Sequence, residues 1–412
     1  MTGINTVWQR RAREQRGVSA GAPRRFSLID PGATTLRALA IEVGEGQATV
    51  WGWAQRHGSA KVSQMAHACE RAIECAEEMA QEWTGSWFLP DQMLVGLPAS
   101  QLRGGAWPVS QRRSRPERPV EERELGALLE RALRLSVNRL LGADSDEPDW
   151  LLVDAASVLL TVDGRGVTDP VGFRGQEIGA TVFATLAQCE VIDVWRSVAE
   201  MLRFSSLTLT AAPLALAASL TDPQAMLVDV GGETTDLIWC RAGCPLALAS
   251  LPQGGTDLTR ALLRKWHLSP DKAERLKITY VSGRLRDEAR PHVLEAMAPS
   301  LRAWLEETES VLIELNRDEP LPQRFYLLGG GSALPEVVEA VRSLAWSRRL
   351  RFARYPQVKR LQSTDVPGVV NRTDWGRGPG DVTALALAAW AAQQSRSPDR
   401  PTRILSELCH QM

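Results

Sequence analysis

The sequence predicts an α/β fold assembled around three junctions at which an apolar strand runs into glycine. The first of these, LVDVGGETTDLIWC from Leu227 to Cys240, is an apolar run ending in Asp229, a turn through Gly231 and Gly232, and a departing strand from Thr235 to Trp239. Backbone N–H groups in such a turn, with hydroxyls at Thr234 and Thr235, can wrap a phosphate while a flanking acid, Asp229 or Asp236, holds Mg²⁺. An ordinary glycine hairpin is the competing reading of this stretch taken alone. The second junction, SLIDPGATTLRAL from Ser27 to Leu39, repeats the pattern: an apolar strand, a terminal acid at Asp30, Gly32, hydroxyls at Thr34 and Thr35, and another strand. The third, YLLGGGSALPEVV from Tyr326 to Val338, is a strand, then Gly329, Gly330, Gly331 and Ser332, then a helix opened by Pro335. Missing side chains there let backbone approach a flat ring, and Ser332 is placed to cap the helix beyond it.

In this order the three junctions resemble those of the actin-like ATPase superfamily. The resemblance implies a two-lobed actin-like (ribonuclease-H-like) ATPase fold that clamps ATP or ADP between its lobes, with one phosphate hairpin from each. Carried over by position, the nucleotide contacts are Asp30, Gly32 and Thr34 from the first hairpin. From the second they are Asp229, Gly231, Gly232, Glu233, Thr234 and Thr235, and from the third junction Gly329, Gly330, Gly331 and Ser332. Asp30 and Asp229 are the expected Mg²⁺ ligands.

Composition agrees with a cytoplasmic chain of several domains. At 412 residues and 44% apolar content, two or three sizeable cores are expected. A net charge of −1 gives no general attraction to nucleic acid, so no nucleic-acid partner is expected. The six cysteines lack paired spacing and read as reduced thiols. No run of about 18 apolar residues marks a membrane span, and the start lacks a secretory apolar region.

Residues 1 to 25 read as a basic flexible arm with Arg10, Arg11, Arg13, Arg16, Arg24 and Arg25 against Glu14. Residues 26 to 90 form the first part of lobe one: the first hairpin, a strand from Ala48 to Ala54, and a helix with core residues spaced from Val62 to Trp83. From residue 91, beginning with the strand Met93 to Leu97, an insert runs to residue 187. Its stretch GGAWPVSQRRSRPERPV reads as a loop or loose hairpin because of its Arg, Pro and Gly content. Glu122 to Leu141 is an amphipathic helix, and Leu151 to Val162 one or two strands. Residues 188 to 221 continue lobe one. Lobe two spans 222 to 379, with a long helix from Pro291 to Leu315 and a strand near Leu350 to Ala353. Residues 380 to 395 return to lobe one as a helix.

Within the insert, Val162-Asp163-Gly164, Asp169-Pro170-Val171-Gly172-Phe173 and Gly175 look like the extra subdomain of the FtsA family of bacterial division proteins. Gly254-Gly255-Thr256-Asp257 opening a helix, and Ala273-Glu274-x-x-Lys277 on the next, are again similar to that family. By that likeness Glu274 and Lys277 hold the adenosine moiety and Gly255 is a further nucleotide contact, whereas spacing alone reads Glu274 and Lys277 as a surface ion pair. The family carries more strand before the long helix, so the tip of lobe two, where FtsA receives the tail of the tubulin-like FtsZ, is shortened here.

At the end, residues 396 to 412 form a linker and a short amphipathic tail. Ile404, Leu405, Leu408, Cys409 and Met412 share one arc, which suits either a docked helix or a membrane anchor from Ile404 to Met412. The phosphate hairpins depart from the family at Pro31, Ala33 and Glu233. The Glu233 carboxylate would either face the γ-phosphate and repel it or point outward. Ala212-Pro213 lacks the glutamate that polarises water in several branches, and Ala386 replaces a glycine, so weak or absent hydrolysis is expected. The resemblance implies an FtsA-like cytoskeletal adaptor that self-associates into filaments and tethers division partners, FtsZ among them, at the inner face of the cell membrane. A PilM-like scaffold of a pilus or secretion assembly is the alternative, with a small-molecule kinase of the same superfamily behind it.

Overall fold

The computed structural model describes residues 24–44, 46–57, 62–142, 149–315 and 319–411. The N-terminal arm through residue 23 lies outside them, and Arg24 and Arg25, assigned to the arm on sequence, open the first strand. The chain begins with β1 (Arg24–Pro31), β2 (Thr35–Gly44) and β3 (Gln47–His57), an antiparallel run, followed by α1 (Val62–Thr84) and β4 (Gln92–Leu97). Gly52 allows α1 to lie directly on β3, since a Cβ there would fall 1.7 Å from the carbonyl oxygen of Ala76.

The insert comes next as β5 (Leu102–Arg112), α2 (Glu122–Leu141), β6 (Trp150–Val162), β7 (Arg165–Val167) and β8 (Glu177–Gln188). Then come α3 (Cys189–Met201), β9 (Ser206–Ala211) and α4 (Ala212–Ala218), which has Pro213 in its first turn. The second lobe contributes β10 (Gln224–Val230), β11 (Thr235–Arg241), β12 (Cys244–Leu251), α5 (Gly255–Trp266), α6 (Pro270–Val281), α7 (Arg290–Leu315), β13 (Arg324–Leu328), α8 (Pro335–Ser343) and β14 (Gln357–Arg360). The chain ends with β15 (Val369–Asn371), α9 (Val382–Gln394) and α10 (Arg400–Cys409).

Among the described residues these strands form two sheets, ordered β15-β3-β2-β1-β4-β9 and β14-β13-β10-β11-β12-β5-β8-β6-β7. Buried between the sheets, α4 and α9 share one core with Leu28, Ile41, Leu227 and Leu328. Helix α9 is apolar nearly all round because it is covered on every side.

Several expectations need correction. The strand Met93–Leu97 does not open the insert; it lies between β1 and β9 in lobe one's sheet, in register with both. The Arg- and Pro-rich stretch expected to be a loop or loose hairpin starts as strand β5, which pairs along its length with the distant β8. Pro108 is tolerated because β5 meets β12 only where Gly105 pairs with Ala247, so the proline faces an open edge. Residues Leu350–Ala353 make a single bridge, Leu321 to Phe352, instead of a strand. The stretch to residue 379, assigned to lobe two, contains β15, which pairs with β3 in the first sheet.

The tail is a docked helix. Ile404 is 7% and Leu405 2% exposed, packed in the insert's core with Leu128, Leu129 and Leu160, while Leu408 and Cys409 pack at its margin. Arg400 pairs with Glu122 at 3.2 Å and with Asp169, and Arg403 pairs with Glu122 at 2.7 Å. Met412 lies outside the described residues; the rest of the apolar arc proposed for a membrane is spent inside the protein.

Candidate functional site: a cleft between two hairpins

Each hairpin is shaped by a glycine that no larger residue could replace without shifting backbone. A Cβ on Gly32 would lie 2.6 Å from the Thr35 carbonyl oxygen, and one on Gly231 would lie 2.9 Å from that of Thr234. The Gly231 N–H closes its turn by donating to the Thr234 carbonyl at 2.9 Å. The two turns touch: a Cβ on Gly232 would sit 2.3 Å from the Thr34 side chain. The N-terminal amides of α5 tie the second hairpin in place, Gly255 N–H donating to the Gly231 carbonyl at 2.9 Å and Thr256 N–H to that of Gly232 at 2.7 Å. Gly329 adopts φ +82°, the left-handed region, and its N–H donates to the Pro379 carbonyl at 2.9 Å. Together these turns enclose a cavity of about 410 Å³, within the range of small-ligand sites.

Asp30, Gly32, Thr34, Asp229, Gly231, Gly232, Thr234, Gly255, Glu274, Lys277, Gly329, Gly330 and Gly331 all line this cavity. Thr235, Ser332 and Glu233 do not. The Thr235 hydroxyl is buried, donating to the Gln253 carbonyl and accepting from the Trp304 indole N–H at 2.9 Å, so it locks the hairpin to α7. Ser332 donates to the Gly329 carbonyl at 2.7 Å and holds the glycine loop closed. Glu233 is solvent-exposed, the outward alternative of the two considered. Glu274 and Lys277 form the ion pair that their spacing suggests and also face the cavity. They pair at 2.9 Å, and Lys277 Nζ also donates to the Gly255 carbonyl and the Thr259 hydroxyl, each at 2.9 Å, while both side chains wall the cavity beside Ile278.

The floor is a cluster of carboxylates, Asp30 and Asp236 buried and Asp229 half-buried. Burial pushes Asp229 up to about 7, reinforced by the charges of Asp236 and Asp30; the Thr383 hydroxyl, donating to it at 3.1 Å, opposes the rise. Asp236 is raised to about 6, again by burial, although it accepts from the Ser250 hydroxyl at 2.6 Å. Burial also raises Asp30, against the pull of Arg37. Such a floor repels polyphosphate unless a cation intervenes. Mg²⁺ bound by one or two carboxylates and otherwise by water and phosphate suits Asp229 with Asp30. Among the described residues no group of three or more His, Cys, Asp or Glu side chains forms a cage for a metal by itself.

Two residues in this cleft were not foreseen. Arg37 reaches across it, Nε donating to Asp381 Oδ1 at 2.9 Å and Nη1 to Asp30 Oδ2 at 3.4 Å. The signal was present in the hairpin itself, since antiparallel register puts Arg37 opposite Asp30. Gln101, in a short turn of helix after β4, also lines the cavity, and its side-chain carbonyl is buried without a hydrogen-bond partner. Where a base would stand, Ala212 and Pro213 present apolar atoms, and Ala386 is fully buried behind them.

A family model described as "Cell division protein FtsA" matches residues 226–371, which contain the second hairpin, the glycine loop and the long helix. No curated protein matches the sequence significantly. Among solved structures, the chain superposes on one described as the PilM-PilN type IV pilus biogenesis complex with a TM-score of 0.62 at 19% identity, covering 90% of this chain and 99% of that one. Two further likenesses are the ethanolamine utilization protein EutJ from Carboxydothermus hydrogenoformans (TM-score 0.48, 15% identity, 92% and 94% covered) and a glycerol dehydratase reactivase (TM-score 0.46, 8% identity, 90% and 100% covered). The fold rests on the PilM-PilN superposition and on the paired sheets described above.

Proposed function

We propose that this chain, whose fold is actin-like and whose residues 226–371 match the FtsA family model, is an ATPase-fold protein of the FtsA/PilM branch that binds an adenine nucleotide with Mg²⁺ in the cleft and works as an assembly scaffold. One observation supports the nucleotide above all. Three glycine junctions, more than a hundred residues apart from first to last, converge on a single cavity together with Glu274 and Lys277. In this reading the hairpin amides receive the phosphates, Asp229 and Asp30 hold Mg²⁺, and the adenosine lies against α6. Mg²⁺ would neutralise the phosphates that the carboxylate floor otherwise repels. With only Ala212 and Pro213 at the position of a general base, bound nucleotide is expected to persist, acting as a structural ligand that sets the lobe arrangement.

As a scaffold, the protein is read as an FtsA-like adaptor that self-associates and tethers partners, FtsZ included, at the inner face of the cell membrane. The PilM likeness favours a second reading, a scaffold of a pilus or secretion assembly. A kinase is less well supported, because the sequence offers no further acid-and-hydroxyl cluster suited to a small substrate. Calorimetry of Mg-ATP and Mg-ADP against the protein and its Asp229→Ala variant tests the core of the proposal. Binding by the first and none by the variant is expected, and equal affinities would remove the hairpin from the site. A pellet assay with and without nucleotide then separates filament from monomer.

A further inference from the structure

The chain as a whole is nearly neutral, yet residues 341–360 contain seven cations, Arg342, Arg348, Arg349, Arg351, Arg354, Lys359 and Arg360, and no acid. The fold turns most of that charge outward. Leu350 is buried and Phe352 half-buried, the latter in tilted ring contact with Phe325 at 5.8 Å between centroids, and Pro356 is buried, so the segment is anchored at three positions. The backbone is pinned as well, the Leu321 N–H donating to the Arg351 carbonyl at 2.8 Å and the Ala353 N–H to that of Leu321 at 2.9 Å. Arg348, Arg349, Arg351 and Arg354 are left exposed in a short, fixed stretch, with Tyr355 66% exposed beside them.

Neighbouring groups offset part of this charge: Glu309 faces Arg349 at 3.6 Å, Glu339 pairs with Arg342, Asp365 pairs with Lys359, and Arg351 is also partnered. Among the described residues no acid pairs with Arg348 or Arg354. Leu321 precedes β13, whose far end leads into Gly329, so the patch lies at the opposite end of that strand from the cleft. A surface occupied here leaves the nucleotide site free.

We propose that this arginine surface, Arg348 to Tyr355, docks the protein on an anionic phospholipid membrane. Guanidinium groups bind phosphate oxygens in pairs, clusters of four or more cations suffice for attraction to acidic leaflets, and a tyrosine beside them is the residue type that settles at the headgroup level. Single-stranded nucleic acid fits less well, since it needs successive aromatic platforms and residues 347–360 expose only Tyr355. The inference rests on the tethering reading above, gives it a membrane-facing surface in place of the docked tail, and is independent of the nucleotide.

The test is flotation of the full chain with vesicles of phosphatidylcholine alone and of phosphatidylcholine containing phosphatidylglycerol, alongside an oligonucleotide titration. Binding to the anionic vesicles only is expected, with loss at high salt. At about 1 kcal/mol per cation near the surface, Arg348→Gln with Arg354→Gln should weaken it about 30-fold. Tyr355→Ser, which changes no charge, should weaken it less and leave the salt dependence intact. Calorimetry on the same variants should give unchanged nucleotide affinity, so that failure here and failure of the cleft reading are told apart. No vesicle binding by the unaltered chain, or equal binding by the double variant, overturns the proposal. So does oligonucleotide binding that depends on these arginines and exceeds binding to vesicles.

Discussion

Asp229 is costly to the empty protein, and Asp229→Asn should reveal by how much. Its carboxyl is raised from 3.8 to about 7 by burial and by the neighbouring Asp236 and Asp30. The folded state therefore keeps a proton that the unfolded chain releases between pH about 4 and 7, so stability falls as pH rises through that window. A shift of about three units corresponds to roughly 4 kcal/mol above pH 7. Asp30 and Asp236 compensate for part of any change at Asp229, so removing its charge should recover about 2 to 4 kcal/mol. Asparagine has nearly the same shape and can still accept from the Thr383 hydroxyl, which holds the Asp229 carboxylate at 3.1 Å. Urea unfolding of nucleotide-free protein at pH 5 and pH 8 is the assay. The variant should be more stable than the parent at pH 8, by less than half that margin at pH 5, and unable to bind Mg-nucleotide. A variant less stable at pH 8, or one with the parent's pH slope, would refute the view that this carboxylate is held at a cost in stability for ligand binding.

Two other changes address corrected expectations. Glu233→Gly should leave the ratio of ATP to ADP affinity unchanged in calorimetry, since the side chain is exposed and lies off the cavity; selective tightening of ATP would place the carboxylate at the γ-phosphate after all. Leu405→Ala should cost about 2 to 4 kcal/mol in urea unfolding, because a side chain 2% exposed in the insert's core leaves a cavity there. A loss below about 0.5 kcal/mol would mean that α10 leaves the insert readily in solution.

Much of the phosphate site is legible in sequence because its chemistry is local. A turn that brings a carbonyl within 3 Å of where a Cβ would stand needs glycine, as at Gly32 and Gly231, and the acid at the end of each strand lies next to its own turn. Helices such as Glu122–Leu141 are legible for the same reason, since their apolar spacing is carried by the segment itself. Strand β5 was misread because arginine, proline and glycine signal a loop only when no partner strand is considered, and its partner β8 is supplied from more than 60 residues away.

Tertiary structure decided what depends on such distant partners. Arg37 meets Asp381 across 344 residues, a pairing that no local pattern announces. The amphipathic arc of α10 was equally suited to a membrane and to a protein groove, because a hydrophobic face specifies burial and not the surface that buries it. Packing against α2 and β6 chose the groove. Conversely, the run of cations from Arg342 to Arg360 is plain in the sequence, but only the inward anchoring of Leu350, Phe352 and Pro356 makes it one outward-facing surface. Composition determined how much charge the segment carries; the fold determined where that charge points.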